Sequence, residues 1–145
     1  MQNQSFYFGG VMRLLLCVGL LTIPTLVNAA NVAFVGNYGL DFSDNPNQAS
    51  IIVSGAENAL NVKVLGEDDV SAATELTAEK RQALWERLSL TSSPDAATCI
   101  KFSRDYLCHI DDSIKQTDKV LANIKSDYFF YTITQDEPVT AFPLK

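Results

Sequence analysis

Cys99 and Cys108 stand nine residues apart in a stretch whose apolar residues keep helical spacing, and one backbone cannot satisfy both features. Positions 96, 100, 103, 107, 110, 114, 117, 121 and 124 (Ala, Ile, Ser, Leu, Ile, Ile, Thr, Leu, Ile) fall at that period. Nine helical residues separate two Cα atoms by about 13.5 Å, whereas a disulfide tolerates about 7 Å at most. If the cysteines are bonded, the economical solution is a hairpin of Thr98 to Phe102 against Asp105 to Ile110, turning at Ser103-Arg104. A broken pair of helices is the competing solution, because short apolar runs are ambiguous by period alone.

The N-terminal segment bears on that choice through the redox compartment. Residues 14 to 27, LLLCVGLLTIPTLV, follow Arg13 and precede Asn28-Ala29-Ala30, the order of charge, apolar run and small residues in a secretory signal peptide. Val27 and Ala29 suit the −3 and −1 places, so cleavage is expected after Ala29. A transmembrane anchor needs about 20 apolar residues, and Pro24 and Asn28 interrupt this run. Met12-Arg13 begins a proper basic n-region, which makes Met12 a candidate start. Cys17 follows Leu14-Leu15-Leu16 rather than the small residues of a lipobox, so no lipid anchor is implied.

The expected organisation is a signal at 1–29 and a single exported domain at 30–145, in the bacterial periplasm or outside the cell. Cys99 and Cys108 are its only cysteines, and an even count in an oxidising compartment predicts a disulfide. A ten-residue loop so closed restricts the unfolded chain by roughly 2.7 kcal/mol. The pair lacks the C-x-x-C arrangement of redox catalysts, so it is expected to be a structural staple.

Without the leader, 10 basic and 17 acidic side chains leave a net charge of −7 on 116 residues. That length suits one core. The composition excludes disorder, collagen, coiled coil and a polytopic membrane protein. Acidity argues against binding nucleic acid, which calls for clustered Lys and Arg.

Val32 to Phe42, Ser50 to Ser54 and Leu60 to Leu65 predict a three-strand antiparallel meander, separated by the turn-rich SDNPNQ and GAEN. Leu60, Val62 and Val64 alternate with Asn61, Lys63 and Leu65, as a strand with one face in the core requires. Ile51-Ile52-Val53 is continuous and suits a strand covered on both sides. After the Gly66-Glu67-Asp68-Asp69 turn, residues 76 to 90 predict a helix with Thr77 as cap, Glu79 near its start and Arg87 near its end. Leu76, Ala83, Leu84 and Leu88 should face the sheet. A second helix is expected over 112 to 126, capped by Asp111 or Ser113, then a strand from Asp127 to Thr134 and an edge strand from Val139 to Leu144. The fold class is therefore α+β: an antiparallel sheet, one or two helices packed on it, and a disulfide-linked hairpin.

No motif for catalysis, cofactor or metal emerges. His109, the sole histidine, begins H-I-D-D with Asp111 and Asp112; this falls short of a metal ligand set and lacks a recognisable nucleophile. A half-exposed histidine at a hairpin end explains it better. Val35-Gly36-Asn37-Tyr38-Gly39 lacks the third glycine of a dinucleotide loop and reads as a kink or bulge in the first strand. Over these five residues the start of the meander resembles lipocalin-like small barrels, and no family is assigned on it. Tyr128, Phe129, Phe130 and Tyr131 project alternately to two faces. Core on both faces is the simpler expectation; the block is also the candidate partner surface if one face is left open. Trp85 is expected to pack helix on sheet.

The functional expectation is a non-enzymatic exported binding protein acting through a protein–protein surface, with no membrane attachment after cleavage. A basic partner such as a lysozyme-like hydrolase or a toxin would make it an inhibitor or immunity-type protein. The alternatives are a small-molecule or lipid carrier with a cupped sheet, which needs an apolar cavity of at least about 300 Å³, and a hydrolase using His109.

Overall fold

In the computed structural model, which describes residues 34–56 and 58–145, the chain turns at Ser103-Arg104 and bonds Cys99 to Cys108 across the hairpin, with Cα atoms 4.1 Å apart. The conflict between helical spacing and bonded cysteines is thus resolved for the hairpin. Ser103 takes φ 54° in the turn. The leader, the Met12 start and the cut after Ala29 lie outside the described residues.

Among the described residues nine strands are formed: β1 Gly36–Leu40, β2 Ile51–Ala56, β3 Ala59–Val64, β4 Val70–Ala72, β5 Thr74–Glu75, β6 Ala97–Phe102, β7 Asp105–Ile110, β8 Tyr128–Thr132 and β9 Val139–Leu144. Helix α1 spans Ala78–Arg87 and α2 Asp112–Thr117, with 3-10 turns at Pro94–Ala96 and Leu121–Asn123. Every pairing is antiparallel, in the order β4-β3-β2-β1-β9-β8-β7-β6-β5. The two outermost strands, β4 and β5, are separated in sequence by Ala73 alone, and the Ala73 amide donates to Leu60 O at 2.9 Å. One bent segment therefore pairs with β3 on one side and β6 on the other, and the sheet curls into a near-barrel.

This arrangement extends the expected α+β sheet and alters two details of it. Val139 to Leu144 is not an edge strand: β9 pairs with both β8 and β1, joining the C-terminal strands to the N-terminal meander. Pro143 is accommodated although it offers no N–H to the ladder. Ile52 is only half-buried while Ile51 and Val53 are buried, so β2 has one covered face rather than two.

Strand alternation sorts the apolar residues into two cores. The barrel axis is filled by Phe34, Tyr38, Leu40, Ile51, Val53, Leu60, Val62, Ile100, Phe102, Leu107, Phe130 and Ala141. On the outer face of β6–β8 a second core joins Cys99, Cys108, Ile110, Phe129 and Tyr131 to Leu84 and Trp85 of α1, to its C-cap Leu88, and to Ile114, Leu121 and Ile124. The disulfide lies beneath α1, both sulfur-bearing residues fully buried.

Thr77 caps α1 by accepting from the Lys80 amide, and Trp85 packs against Phe129 as a helix-on-sheet residue should. The helix ends in a Schellman arrangement: the Leu90 amide donates to Trp85 O and the Ser89 amide to Glu86 O. Ser89 holds the left-handed position with φ 54°, where glycine is usual. Ala83, expected in the buried stripe, is exposed.

The helix predicted over 112 to 126 stops at Thr117. Asp118 turns inward, 2% exposed, and accepts five hydrogen bonds: from the Thr91 and Ser92 amides and the Ser92 hydroxyl on Oδ2, and from the Val120 and Leu121 amides on Oδ1. These bonds tie the loop after α1 to the loop after α2. Asp111 occupies the N-cap position of α2 without a side-chain capping bond.

Candidate functional site

Up-and-down topology brings the β1–β2, β3–β4, β6–β7 and β8–β9 connections to one end of the barrel. There Leu40, Phe42 and Phe130 line the apolar wall of a half-open depression of about 290 Å³, rimmed by Glu67, Asp105 and Gln135. The Phe42 ring lies 6.4 Å from Phe130 and is 58% exposed. Leu65, Val70 and Ile133 are exposed on the same loops and strand ends. Gly39 positions Phe42: the loop 41–50 folds back so that the Pro46 carbonyl occupies the space a side chain at 39 would need. Gly39 thus serves loop packing, whereas nothing crowds Gly36.

The charge around this end is one-sided. Loops 41–50, 65–69, 103–105 and 133–138 carry eight acidic residues, Asp41, Asp44, Glu67, Asp68, Asp69, Asp105, Asp136 and Glu137, against Arg104 alone. Asp41 is paired with Lys125 at 2.9 Å on the barrel's flank. The Lys63 ammonium donates to the Glu67 and Asp68 carbonyls and so braces the 65–69 loop. Gln135 Oε1 is buried there with no donor.

The opposite end is closed by aromatic side chains. Phe34 and Tyr38 pack edge-on against Tyr128 at 6.1 and 5.1 Å, and His109 does so at 5.0 Å. The Tyr38 hydroxyl donates to Phe34 O at 2.8 Å, and burial, with Tyr128 beside it, pushes its pKa well above the ordinary tyrosine value.

The aromatic block is core on both faces. Phe129 and Tyr131 lie beneath α1 and Phe130 lies within the barrel, all three buried, while Tyr128 is half-buried at the closed end. Little of the surface assigned to Tyr128–Tyr131 is open to a partner. His109 is half-buried on β7, whereas Asp111 and Asp112 are exposed beyond the strand, Asp112 paired with Lys115 at 2.8 Å. The three do not converge. Among the described residues no group of three His, Cys, Asp or Glu could hold a metal, and no helix is long and apolar enough to cross a membrane. The barrel axis is filled by the inward side chains of β1–β3 and β6–β9.

Sequence reasoning missed Phe42, Glu67, Asp105 and Gln135 as a group. They come from four connections, and only the pairing order brings them together. The concentration of acids in the predicted turns was the available signal. Compared with family models, with curated proteins and with solved structures, the chain matches none.

Proposed function

We propose that this is an exported, non-enzymatic binding protein that docks a basic protein, a hydrolase or toxin by class, on the acidic end of its barrel. The reading rests on the 290 Å³ depression, where an apolar wall of Leu40, Phe42 and Phe130 meets the acidic rim. A partner's Lys or Arg can lay its aliphatic stem along the exposed Phe42 ring and bring its charged head to Glu67 and Asp105. Exposed Phe42, Leu65, Val70 and Ile133 supply the apolar contacts that interface centres use, inside a charged rim. The eight acids outnumber Arg104, Lys63 and Lys125 around this end, and that excess steers a cationic partner from a distance. Export is in keeping with the disulfide, which oxidising compartments preserve.

The test is calorimetry of the mature chain against a panel of basic hydrolases. Measurements are made at ionic strengths either side of 0.15 M, where charges are screened over about 8 Å. Association that weakens with salt, and that Glu67→Lys with Asp136→Lys abolishes without lowering the melting temperature, is the expected result. If no basic protein associates at low salt, or if the double variant binds as before, the reading fails.

A further inference from the structure

Ala83 belongs to the apolar stripe of α1 by spacing, yet it is exposed because a cleft of about 380 Å³ opens between this helix and the sheet surface of β6 and β7. Leu76, Ala83, Leu84 and Tyr106 give the cleft an apolar lining. Its charged lining is entirely cationic: Lys80, Arg87 and Lys101. In an acidic chain this is unexpected, and among the described residues none of the three cations is within ion-pair distance of a carboxylate. Glu79 and Glu86 sit about 100–120° round the helix from Lys80 and do not line the cleft.

The cations are oriented as well as gathered. Lys80 and Arg87 are seven residues apart, so they lie on one helix face about 10.5 Å from each other along the axis. Arg87 Nε donates to the Tyr131 hydroxyl at 3.0 Å, which fixes the guanidinium. Its Nη groups make no hydrogen bond among the described residues. The Lys101 ammonium lies 5.6 Å from the centre of the Tyr106 ring, which holds it over the sheet side of the cleft. A fixed guanidinium edge suits bidentate contact with a carboxylate or sulfate. The cleft volume falls in the range of small-ligand sites, about 300–1,000 Å³.

We propose that this cleft binds a small amphipathic anion. Its carboxylate or sulfate head is held by Arg87 between Lys80 and Lys101, and its apolar body lies on Leu76, Ala83 and Tyr106. The site is independent of the partner surface at the acidic end, and either can stand without the other.

The test uses the mature chain with decanoate and decyl sulfate below their micelle thresholds. Uncharged decanol and cationic decyltrimethylammonium serve as controls. Binding is read by calorimetry and by amide shifts of the labelled protein. The anions should bind, shifting amides of α1 between 80 and 87 and of 101 and 106, and the cationic control should not. Lys80→Glu with Lys101→Glu should weaken decanoate binding about tenfold or more, the scale of a lost charge-assisted contact. Ala83→Phe, which fills the cleft without altering charge, should weaken it too. Decanol binding as tightly as decanoate, shifts centred on the 41–50, 65–69 and 133–138 loops, or unchanged affinity in the charge-reversed variant would each overturn the assignment.

Discussion

Replacing Asp118 by Asn changes one atom and should be among the most damaging conservative substitutions in the domain. The carboxylate is 2% exposed and accepts from four backbone amides and one hydroxyl at 2.9–3.2 Å. Asn offers one oxygen. In its better orientation that oxygen stays with Thr91 and Ser92, and the new NH₂ group faces the Val120 and Leu121 amides, which lose their acceptor. One buried donor, Leu121, and one half-buried donor, Val120, left unpaired at about 1–3 kcal/mol each, together with weaker bonds to the neutral amide, give a loss of about 3 kcal/mol. For a domain of this size that lowers the melting temperature by roughly 12 °C or more. The pH dependence adds a second readout. Burial opposes the charged carboxylate, but the Ser92 and Leu121 amides, the Ser92 hydroxyl and the Thr91 amide outweigh it and hold the pKa below its ordinary 3.8. A depressed folded pKa contributes stability above the unfolded value and loses it as pH falls through the folded value. Asp118→Asn lacks that step, so the gap between the two melting curves should narrow below pH 3.8. Calorimetric melts from neutral pH to about pH 2.5 measure both effects. A shift under about 3 °C at neutral pH, or a gap that stays constant in acid, would refute the reasoning.

Other substitutions probe other links. Ser89→Gly should raise stability by about 0.5–1 kcal/mol, since the left-handed position at the end of α1 costs a side chain about 1–2 kcal/mol and the greater freedom of glycine in the unfolded chain offsets part of it; an unchanged urea midpoint would contradict the Schellman reading. Gly39→Ala should cost about 2 kcal/mol through its clash with the Pro46 carbonyl, and it should also weaken basic-partner binding because the displaced loop carries Phe42; both losses are read by denaturation and calorimetry. Cys99→Ala with Cys108→Ala should remove about 2.7 kcal/mol of loop restriction, a loss that guanidinium melts would show and that equal stability in the variant would deny.

Local patterning made much of the fold legible, and long-range pairing hid the rest. The hairpin followed from one geometric conflict, because a helix cannot bring Cys99 and Cys108 together. The meander and α1 were readable from period, turns and caps. Residues 70–75 were not: Val-Ser-Ala-Ala-Thr-Glu has no apolar alternation, and it is a strand because it is held between β3 and β6. The end of α2 was hidden for a related reason, since nothing local distinguishes Asp118 from an exposed acid and its donors lie as far away as Thr91. The aromatic block was correctly placed as two-faced, but its burial depended on α1 covering one side. The candidate sites were less legible still. The acidic end assembles four connections, and the cationic cleft joins one helix face to two strands.

The most direct test of the proposed function is the footprint of a basic hydrolase on the labelled mature protein, followed by amide shifts at low salt. Shifts concentrated in residues 41–50, 65–69, 103–105 and 133–138, and lost on raising the salt, are the expected result. Shifts centred on α1 or on 128–131, or none with any basic protein, would contradict it.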